Sequence, residues 1–422
     1  MHRDLTAFDA AAILIVLASG LGYINHRWLR LPASVGMTLM GAIASLIVIA
    51  IDRITPSSTL GSQLAAFLGS IDFHRVLMEG MLSFLLFAGA LHVDWAHMRK
   101  GRLPILVFST VGVILSTIIV GFGFHWISAA FGSQVPLSWC LVFGALISPT
   151  DPVAVMAVMK RAAMPETLQA TVAGESLFND GVGVVVFTIL LRIALGQEPF
   201  TLSGAAADFL REAGGGAALG FLIGWLAFRL MRTIDDYSIE VMISLAVVMG
   251  GYSLAMATHV SGPVAMAVAG LLTGNAGVAQ AMSDTTRDYL LKFWGLIDEI
   301  LNAVLFLLIG LEVIVVASSL PLLGAGAAAI LLTLTARALS VGLPLKVMKR
   351  WMDMGPLAFP TLVWGGLRGG ISIALALSLP ESPVRSAILA ATYLVVIFAV
   401  IVQGASISGL IAHLKSKADG AR

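Results

Sequence analysis

Two neighbouring apolar segments carry acidic residues that a membrane helix ordinarily excludes, and their spacing predicts a cation site. The first contains the run SPTDP at 148–152, where two prolines three positions apart remove amide donors and must break a helix. The second contains Glu175, Ser176, Asn179 and Asp180, with Ser176 and Asp180 four residues apart on one helical face. Carbonyl oxygens freed by a break, together with side-chain oxygens of a neighbouring helix, can replace the water around an ion.

Asp180 is the residue that we expect to bind the ion. A carboxylate in so apolar a segment is desolvated, so it should hold a proton or a small cation but not both. That competition is in itself a mechanism of exchange. The alternative is a carboxylate held in a structural pair by a basic partner.

Arg337 lies in the middle of another apolar segment, LLTLTARALSVGLP, where an uncompensated guanidinium would be expensive. It therefore needs an acidic partner, and Glu175, Asp180 and Glu312 are the candidates. If Glu175 is the partner, it is largely structural and Asp180 remains free to titrate. The residues alone leave the pairing open.

Each residue around the breaks has more than one interpretation. Asp151 is either a second carboxylate at the entrance of the site or a cap on the half-helix that begins near Pro152. Thr150 can contribute a carbonyl or a hydroxyl oxygen. Arg368, between two glycine pairs, compensates either the C-terminal end of a half-helix or Asp151, unless it lies at the cytoplasmic edge and extends to water.

The composition is that of an integral membrane protein. Apolar residues make up 58% of the chain and charged residues only 12%, whereas soluble domains carry about 25% charged residues. The single Cys140 excludes a disulfide framework, and the histidines lack the HExxH spacing of a metal hydrolase. Thirteen segments are long enough to cross a bilayer: 8–28, 33–51, 77–95, 104–126, 137–159, 168–194, 212–231, 238–258, 263–282, 293–316, 320–343, 358–379 and 386–412.

Two further patterns predict the orientation of these spans and a repeat. Basic residues concentrate in the loops after odd-numbered spans, which places the N-terminus outside and the C-terminus in the cytoplasm. Span 3 (SFLLFAGALHV) resembles span 10 (AVLFLLIGLEV), and the break in span 5 has a counterpart in the GGLRGG run of span 12. An offset of seven spans inverts the topology. We therefore expect an all-α polytopic fold of two inverted six-helix repeats at 1–196 and 237–414, a linking span within 197–236, and a short cytoplasmic tail at 415–422. The polar stretch 55–76 should lie at the interface.

The motifs resemble those of the NhaP/NHE-type monovalent cation:proton antiporters, in the family's order across nearly the whole chain. The matching pieces are SPTDPVAV (148–155), GESLFNDGVGVVVF (174–187), LNAVLFLLIGLEV (301–313), TARALSV (335–341) and GLRGGISIALALSLP (366–380). The resemblance implies a thirteen-span homodimer whose broken helices 5 and 12 cross at the ion site. One departure is the run FAGALHVD in span 3, which replaces the more usual acidic FEGGL-type run.

Residue by residue, the resemblance implies that Asp180 binds the ion and the proton, with Glu175 and Ser176 as further members of the site. It implies that Thr150 is a main-chain ligand and that Asn179 stands where electrogenic relatives carry a second aspartate. It also implies that Arg337 pairs with Glu175 and that Arg368 is the arginine of the crossover in span 12.

We therefore predict a secondary antiporter in the plasma (inner) membrane that exchanges cytoplasmic Na⁺, with Li⁺ as another candidate, for external H⁺. One titrating carboxylate beside Asn179 predicts electroneutral one-to-one exchange, with Na⁺ held by Asp180, Ser176, Thr150 and Glu175. A K⁺/H⁺ antiporter of the same fold is the main alternative; a channel and an intramembrane enzyme that uses Asp151 with Asp180 are weaker ones. We expect no enzymatic activity, no cofactor beyond the transported ions and no nucleic-acid partner.

Overall fold

A computed structural model of the chain describes residues 7–55, 80–197, 199, 201–277, 282–312, 320–348, 350 and 354–419. All the regular elements within these residues are helices. In chain order they are α1 (Ala7–Ile24), α2 (Ala33–Ile54), α3 (Leu82–Leu91), α4 (Trp95–Lys100), α5 (Arg102–Ala130), α6 (Leu137–Ile147), α7 (Val153–Arg161), α8 (Glu166–Ala194), α9 (Leu202–Met231), α10 (Tyr237–Ala257), α11 (Gly262–Leu272), α12 (Asp284–Leu311), α13 (Leu320–Val347), α14 (Ala358–Trp364), α15 (Gly370–Leu377), α16 (Arg385–Phe398) and α17 (Gly404–Asp419).

The all-helical membrane architecture predicted from the sequence is confirmed. Within the described residues, nine helical stretches are long and apolar enough to cross a membrane, and α3 and α6 are shorter apolar helices. The count of thirteen spans and the division at 196, 237 and 414 stay predictions. The stretch 56–76, predicted to lie at the interface, and the tail residues 420–422 fall outside the described part.

Two helices begin well before the spans predicted for them, α9 at Leu202 rather than residue 212 and α12 at Asp284 rather than residue 293. Span 10 was expected to begin at residue 293, but α12 begins at Asp284 because Ser283 caps the helix, its Oγ accepting a hydrogen bond from the amide of Thr286 at 3.4 Å. The first turns of α12 are polar, which hid them from a search for apolar residues. As a consequence Asp298 lies in the middle of α12.

Two helical breaks meet in the interior. The first separates α6 from α7 at 148–152, where Pro149 and Pro152 interrupt the helix. The second separates α14 from α15 at 365–369. The amide of Asp151 donates a hydrogen bond of 2.8 Å to the carbonyl of Leu367, which forms a short antiparallel bridge between the two unwound segments. Gly369 permits this approach, since a Cβ there would lie 2.7 Å from the carboxylate of Asp151.

Glycines also bring two pairs of helices into backbone contact. A Cβ on Gly41 in α2 would lie 2.8 Å from the carbonyl oxygen of Leu307 in α12, and one on Gly270 in α11 would lie 2.6 Å from that of Phe87 in α3. Small residues at such crossings are typical of membrane helices, which gain stability from close packing. These helices are spans 2 and 10 in the first pair and spans 3 and 9 in the second. A shift of seven spans relates span 2 to span 9 and span 3 to span 10, so it converts one pair into the other. The contacts therefore support the inverted repeat, which stays a prediction.

Candidate ion-binding site

Thr150, in the first break, is held by two residues of α8. The hydroxyl of Ser176 donates a hydrogen bond to the carbonyl oxygen of Thr150. The side-chain amide of Asn179 donates to Thr150 Oγ1 at 2.7 Å and accepts from the Thr150 amide at 3.3 Å. The break is therefore fixed against α8 in one register. Because a carbonyl oxygen has two lone pairs, that of Thr150 can still face a cation.

Asp180 is the residue after Asn179 on α8, and its environment differs from that of Asn179. Its side chain is 9% exposed, and no residue in the described part of the chain donates a hydrogen bond to it or forms an ion pair with it. The charge that acts on it most strongly is the like charge of Asp151. Gly181 allows α8 to lie close to α11, since a Cβ there would stand 2.6 Å from Val264. A buried carboxylate without a donor needs a proton or a cation to balance it.

Glu175, one and a half turns earlier on α8, is fully paired. Arg337 of α13 binds its carboxylate with both terminal nitrogens, the Nη2–Oε2 distance being 3.0 Å, and donates from Nε to the carbonyl of Leu362 at 3.1 Å. Glu175 is 1% exposed and Arg337 7%. Of the three acidic candidates, Glu175 is thus the partner of Arg337. Both of its oxygens are engaged, and its predicted part in Na⁺ coordination stays a prediction.

Arg368 and Asp151 stabilise the ends of the broken helices. Arg368 is 3% exposed and donates from Nη1 to the carbonyls of Ser148 and Pro149, the latter at 3.1 Å. It therefore compensates the C-terminal end of α6, as one of the three interpretations has it. The carboxylate of Asp151 accepts a 2.9 Å hydrogen bond from the amide of Val153, the first residue of α7, and so satisfies one of the free amides at the start of that helix. Its role as an entrance carboxylate stays a prediction.

Asp298 is a further acidic residue in the membrane-spanning part of the chain. It lies in the interior of α12, where Asn302 donates a 3.1 Å hydrogen bond to it. The carboxylates of Asp151 and Asp298 are close enough to interact electrostatically. The spacing of Asp298 and Asn302, one turn apart in an apolar helix, is the signal that could have identified it.

Comparison with known proteins supplies independent information. The family model described as "Sodium/hydrogen exchanger, transmembrane" matches residues 13–413. The chain is 46% identical over 413 residues to the Na⁺/H⁺ antiporter NhaP of Pseudomonas aeruginosa, covering 96% of each chain. It is 32% identical to the Na⁺/H⁺ antiporter NhaH of Halobacillus dabanensis, covering 95% of this chain and 97% of that one. The structure of the sodium proton antiporter MjNhaP1 from Methanocaldococcus jannaschii at pH 8 matches with a TM-score of 0.74 at 20% identity, over 96% of this chain and 97% of the other, which shows a shared fold.

Proposed function

The chain belongs to the sodium/hydrogen exchanger family, and from this premise we propose that it exchanges Na⁺ for H⁺ across the membrane, with the two ions competing for Asp180. The observation that carries the proposal is the carboxylate of Asp180, buried beside a helical break, to which none of the described residues donates a hydrogen bond. Relatives named as Na⁺/H⁺ antiporters over nearly the full length of the chain support the choice of ions.

Na⁺ would be bound by the carboxylate of Asp180 and the oxygens that lie next to it on the break and on α8. These are the carbonyl of Thr150 and the hydroxyl of Ser176, which are hydrogen-bonded to each other. Hard monovalent cations prefer such oxygen ligands, and unwound backbone supplies them in transporters. A proton on Asp180 removes the charge that attracts the cation, so the site is occupied by one ion or the other.

We expect electroneutral exchange, because Asp180 is the carboxylate of this stretch of α8 that has no basic partner within the described ranges of the chain. Glu175 is fixed by Arg337, and Asn179 uses its amide as both donor and acceptor to Thr150. One Na⁺ therefore replaces one H⁺ at Asp180. Movement of the crossing helices relative to the rest of the protein would expose the loaded site to each side in turn.

The distribution of basic residues supports a plasma-membrane protein with its N-terminus outside and its C-terminus in the cytoplasm. The cytoplasm would then supply Na⁺ and the outside H⁺. The homodimer implied by the resemblance to the family belongs to the same proposal.

The test is cation-driven change of internal pH in proteoliposomes that contain a pH-sensitive dye and either the wild type or Asp180→Asn. Na⁺ should dissipate an imposed pH gradient with the wild type and not with the variant. Clamping the membrane potential with valinomycin and K⁺ should leave the Na⁺-driven rate unchanged. Li⁺ and K⁺ are added in separate arms without valinomycin. A response to K⁺ but not to Na⁺ would replace the proposal with K⁺/H⁺ exchange, and a Na⁺ response retained by Asp180→Asn would refute the role of Asp180.

A further inference from the structure

A cavity of about 600 Å³ lies between α8, α9, α10, α11 and α15, outside the site described above. Its wall on α8 includes Val184, Thr188 and Leu191, which follow Asp180 by four, eight and eleven residues. These positions share one face of the helix with Asp180. The floor of the cavity therefore lies one helical turn from the ion-binding carboxylate.

Charged side chains line the rim of the cavity, and an ion pair among them connects the walls formed by α8 and α9. Arg192, at the end of α8, pairs with Glu212 of α9 at 2.8 Å and lies 3.8 Å from Asp208. The carbonyl of Glu212 accepts a 3.0 Å hydrogen bond from the amide of Ser261, which precedes α11. The side chains of Arg192, Asp208 and Glu212 are 29%, 32% and 20% exposed, so the rim is open to the protein surface.

The floor is apolar where the rim is polar. Val184 and Leu375 line the cavity on the side of Asp180, and Asp180 itself remains 9% exposed. A volume of this size holds roughly 20 water molecules at about 30 Å³ each. An apolar layer between such water and the carboxylate is the arrangement expected of a closed hydrophobic constriction.

The position of the cavity relative to the membrane follows from the predicted orientation. The loop between α8 and α9 connects spans 6 and 7 and belongs to the side poor in basic residues, which is the external side. A path through the rim and along α8 leads from outside to Asp180. The helical breaks bound the site from a different direction, through α6, α7 and α14.

We propose that this cavity is the external half of the ion path, and that the Arg192–Glu212 ion pair, which joins α8 to α9, is the latch between its walls. The inference rests on the proposed function for the identity of the ions and adds the route by which the external ion reaches Asp180. Breaking the latch separates α8 from α9 at the external end and widens the approach to Val184. Arg192 and Glu212 act as positioning residues, since neither contacts Asp180.

The test uses cysteine accessibility, for which this chain is suited because its one cysteine, Cys140, is buried and can be replaced by serine. In that background Thr188→Cys places a thiol on the cavity wall. Ile189→Cys, one residue away on α8, buried at 8% exposure and outside the cavity lining, is the matched control. A membrane-impermeant cationic methanethiosulfonate is added to sealed vesicles from the external or the cytoplasmic side, and modification is measured by mass.

Thr188→Cys should be modified from outside at least about tenfold faster than Ile189→Cys, because thiol reactivity follows access to water, and the modified protein should lose exchange. Modification no faster than that of the control, modification from the cytoplasmic side only, or full exchange after complete modification would each refute the route. Modification does not require transport, so unmodified protein that fails to exchange would refute the proposed function and leave the route to be decided by the mass measurement.

The latch is tested by adding Glu212→Gln to Thr188→Cys. Without the ion pair, external modification should become severalfold faster. Glu381→Gln, which removes the exposed carboxylate paired with Arg385 in the loop before α16, is the matched control and should change nothing. Equal rates for Glu212→Gln and Glu381→Gln would show that the ion pair does not hold the walls together.

Discussion

Glu175 and Asp180 lie five residues apart on α8, and both are buried, at 1% and 9% exposure. They differ in whether another side chain balances their charge. Glu175 gives both oxygens to Arg337, whereas no residue in the described part of the chain donates to Asp180. A paired buried charge is already balanced and has little reason to take up an ion. An unpaired one is balanced only by the ion that it binds, so the comparison separates a structural carboxylate from a transporting one on the same helix.

The largest effect should come from removing the unpaired charge. Asp180→Asn should reduce cation-driven proton movement to the rate of protein-free liposomes, because the amide binds neither a proton nor Na⁺ at this position. The variant should fold and melt at or above the wild-type temperature, since no buried charge remains to be balanced. Residual exchange in a folded Asp180→Asn protein would remove the distinction between the two carboxylates.

The next largest effect concerns the paired charge and acts on stability. Arg337→Met should lower the free energy of unfolding by about 3–5 kcal/mol, because it leaves Glu175 buried without a partner. Adding Glu175→Gln should recover most of that loss, which denaturant unfolding in detergent would measure. Exchange should return with the fold in the double variant. A double variant that is stable but inactive would show that Glu175 takes part in transport.

For the first helical break and α8, the types of functional residue could be predicted from the sequence more fully than the contacts between them. The prolines at 149 and 152 and the acids of α8 are local signals, since a proline breaks its own helix and a carboxylate in an apolar segment is costly wherever that segment packs. The choice of partner for Arg337 among Glu175, Asp180 and Glu312 was open from the residues, because it depends on how α13 packs against α8. Resemblance to a family, rather than periodicity, indicated the pairing that the structure contains.

Asn179 illustrates the same limit. From the sequence it was a residue that occupies the place of an aspartate. In the structure it binds the amide and the hydroxyl of Thr150, a contact between residues 29 positions apart. No local pattern encodes such a contact. The start of α12 was missed for a different reason, because its capped first turns are polar and the search relied on hydropathy.

Asn179→Ala tests whether the break must be held in place for Asp180 to work. The substitution removes both hydrogen bonds to Thr150 and leaves buried polar groups unpaired, which should cost about 1–3 kcal/mol of stability. The half-saturating Na⁺ concentration should rise, because the break that carries the Thr150 carbonyl is then held to α8 by the Ser176 hydroxyl and no longer by Asn179. Unchanged Na⁺ dependence in a folded protein would remove Thr150 from the list of ligands.

The pH dependence of Na⁺ activation tests the competition at Asp180. Protons and Na⁺ bind the same carboxylate, so lowering the pH should raise the half-saturating Na⁺ concentration while the maximal rate at saturating Na⁺ stays constant. Where Asp180 is mostly protonated, the rise approaches about tenfold per pH unit, equivalent to about 1.4 kcal/mol. A maximal rate that falls with pH at constant half-saturation would indicate a titrating group separate from the cation site.

Ser176→Ala should have the smallest effect. Ser176 follows Glu175 on α8, and the substitution tests whether its hydroxyl contributes to Na⁺ binding at Asp180. In the structure this hydroxyl donates to the carbonyl of Thr150, so its loss should cost about 0.5–1.5 kcal/mol of stability. If the hydroxyl also coordinates Na⁺, the half-saturating Na⁺ concentration should rise in addition. We expect that rise, because the hydroxyl oxygen retains free lone pairs while its hydrogen is engaged. A loss of stability with unchanged Na⁺ dependence would assign Ser176, like Glu175, to the structural side of the comparison and leave Asp180 and Thr150 to bind the ion.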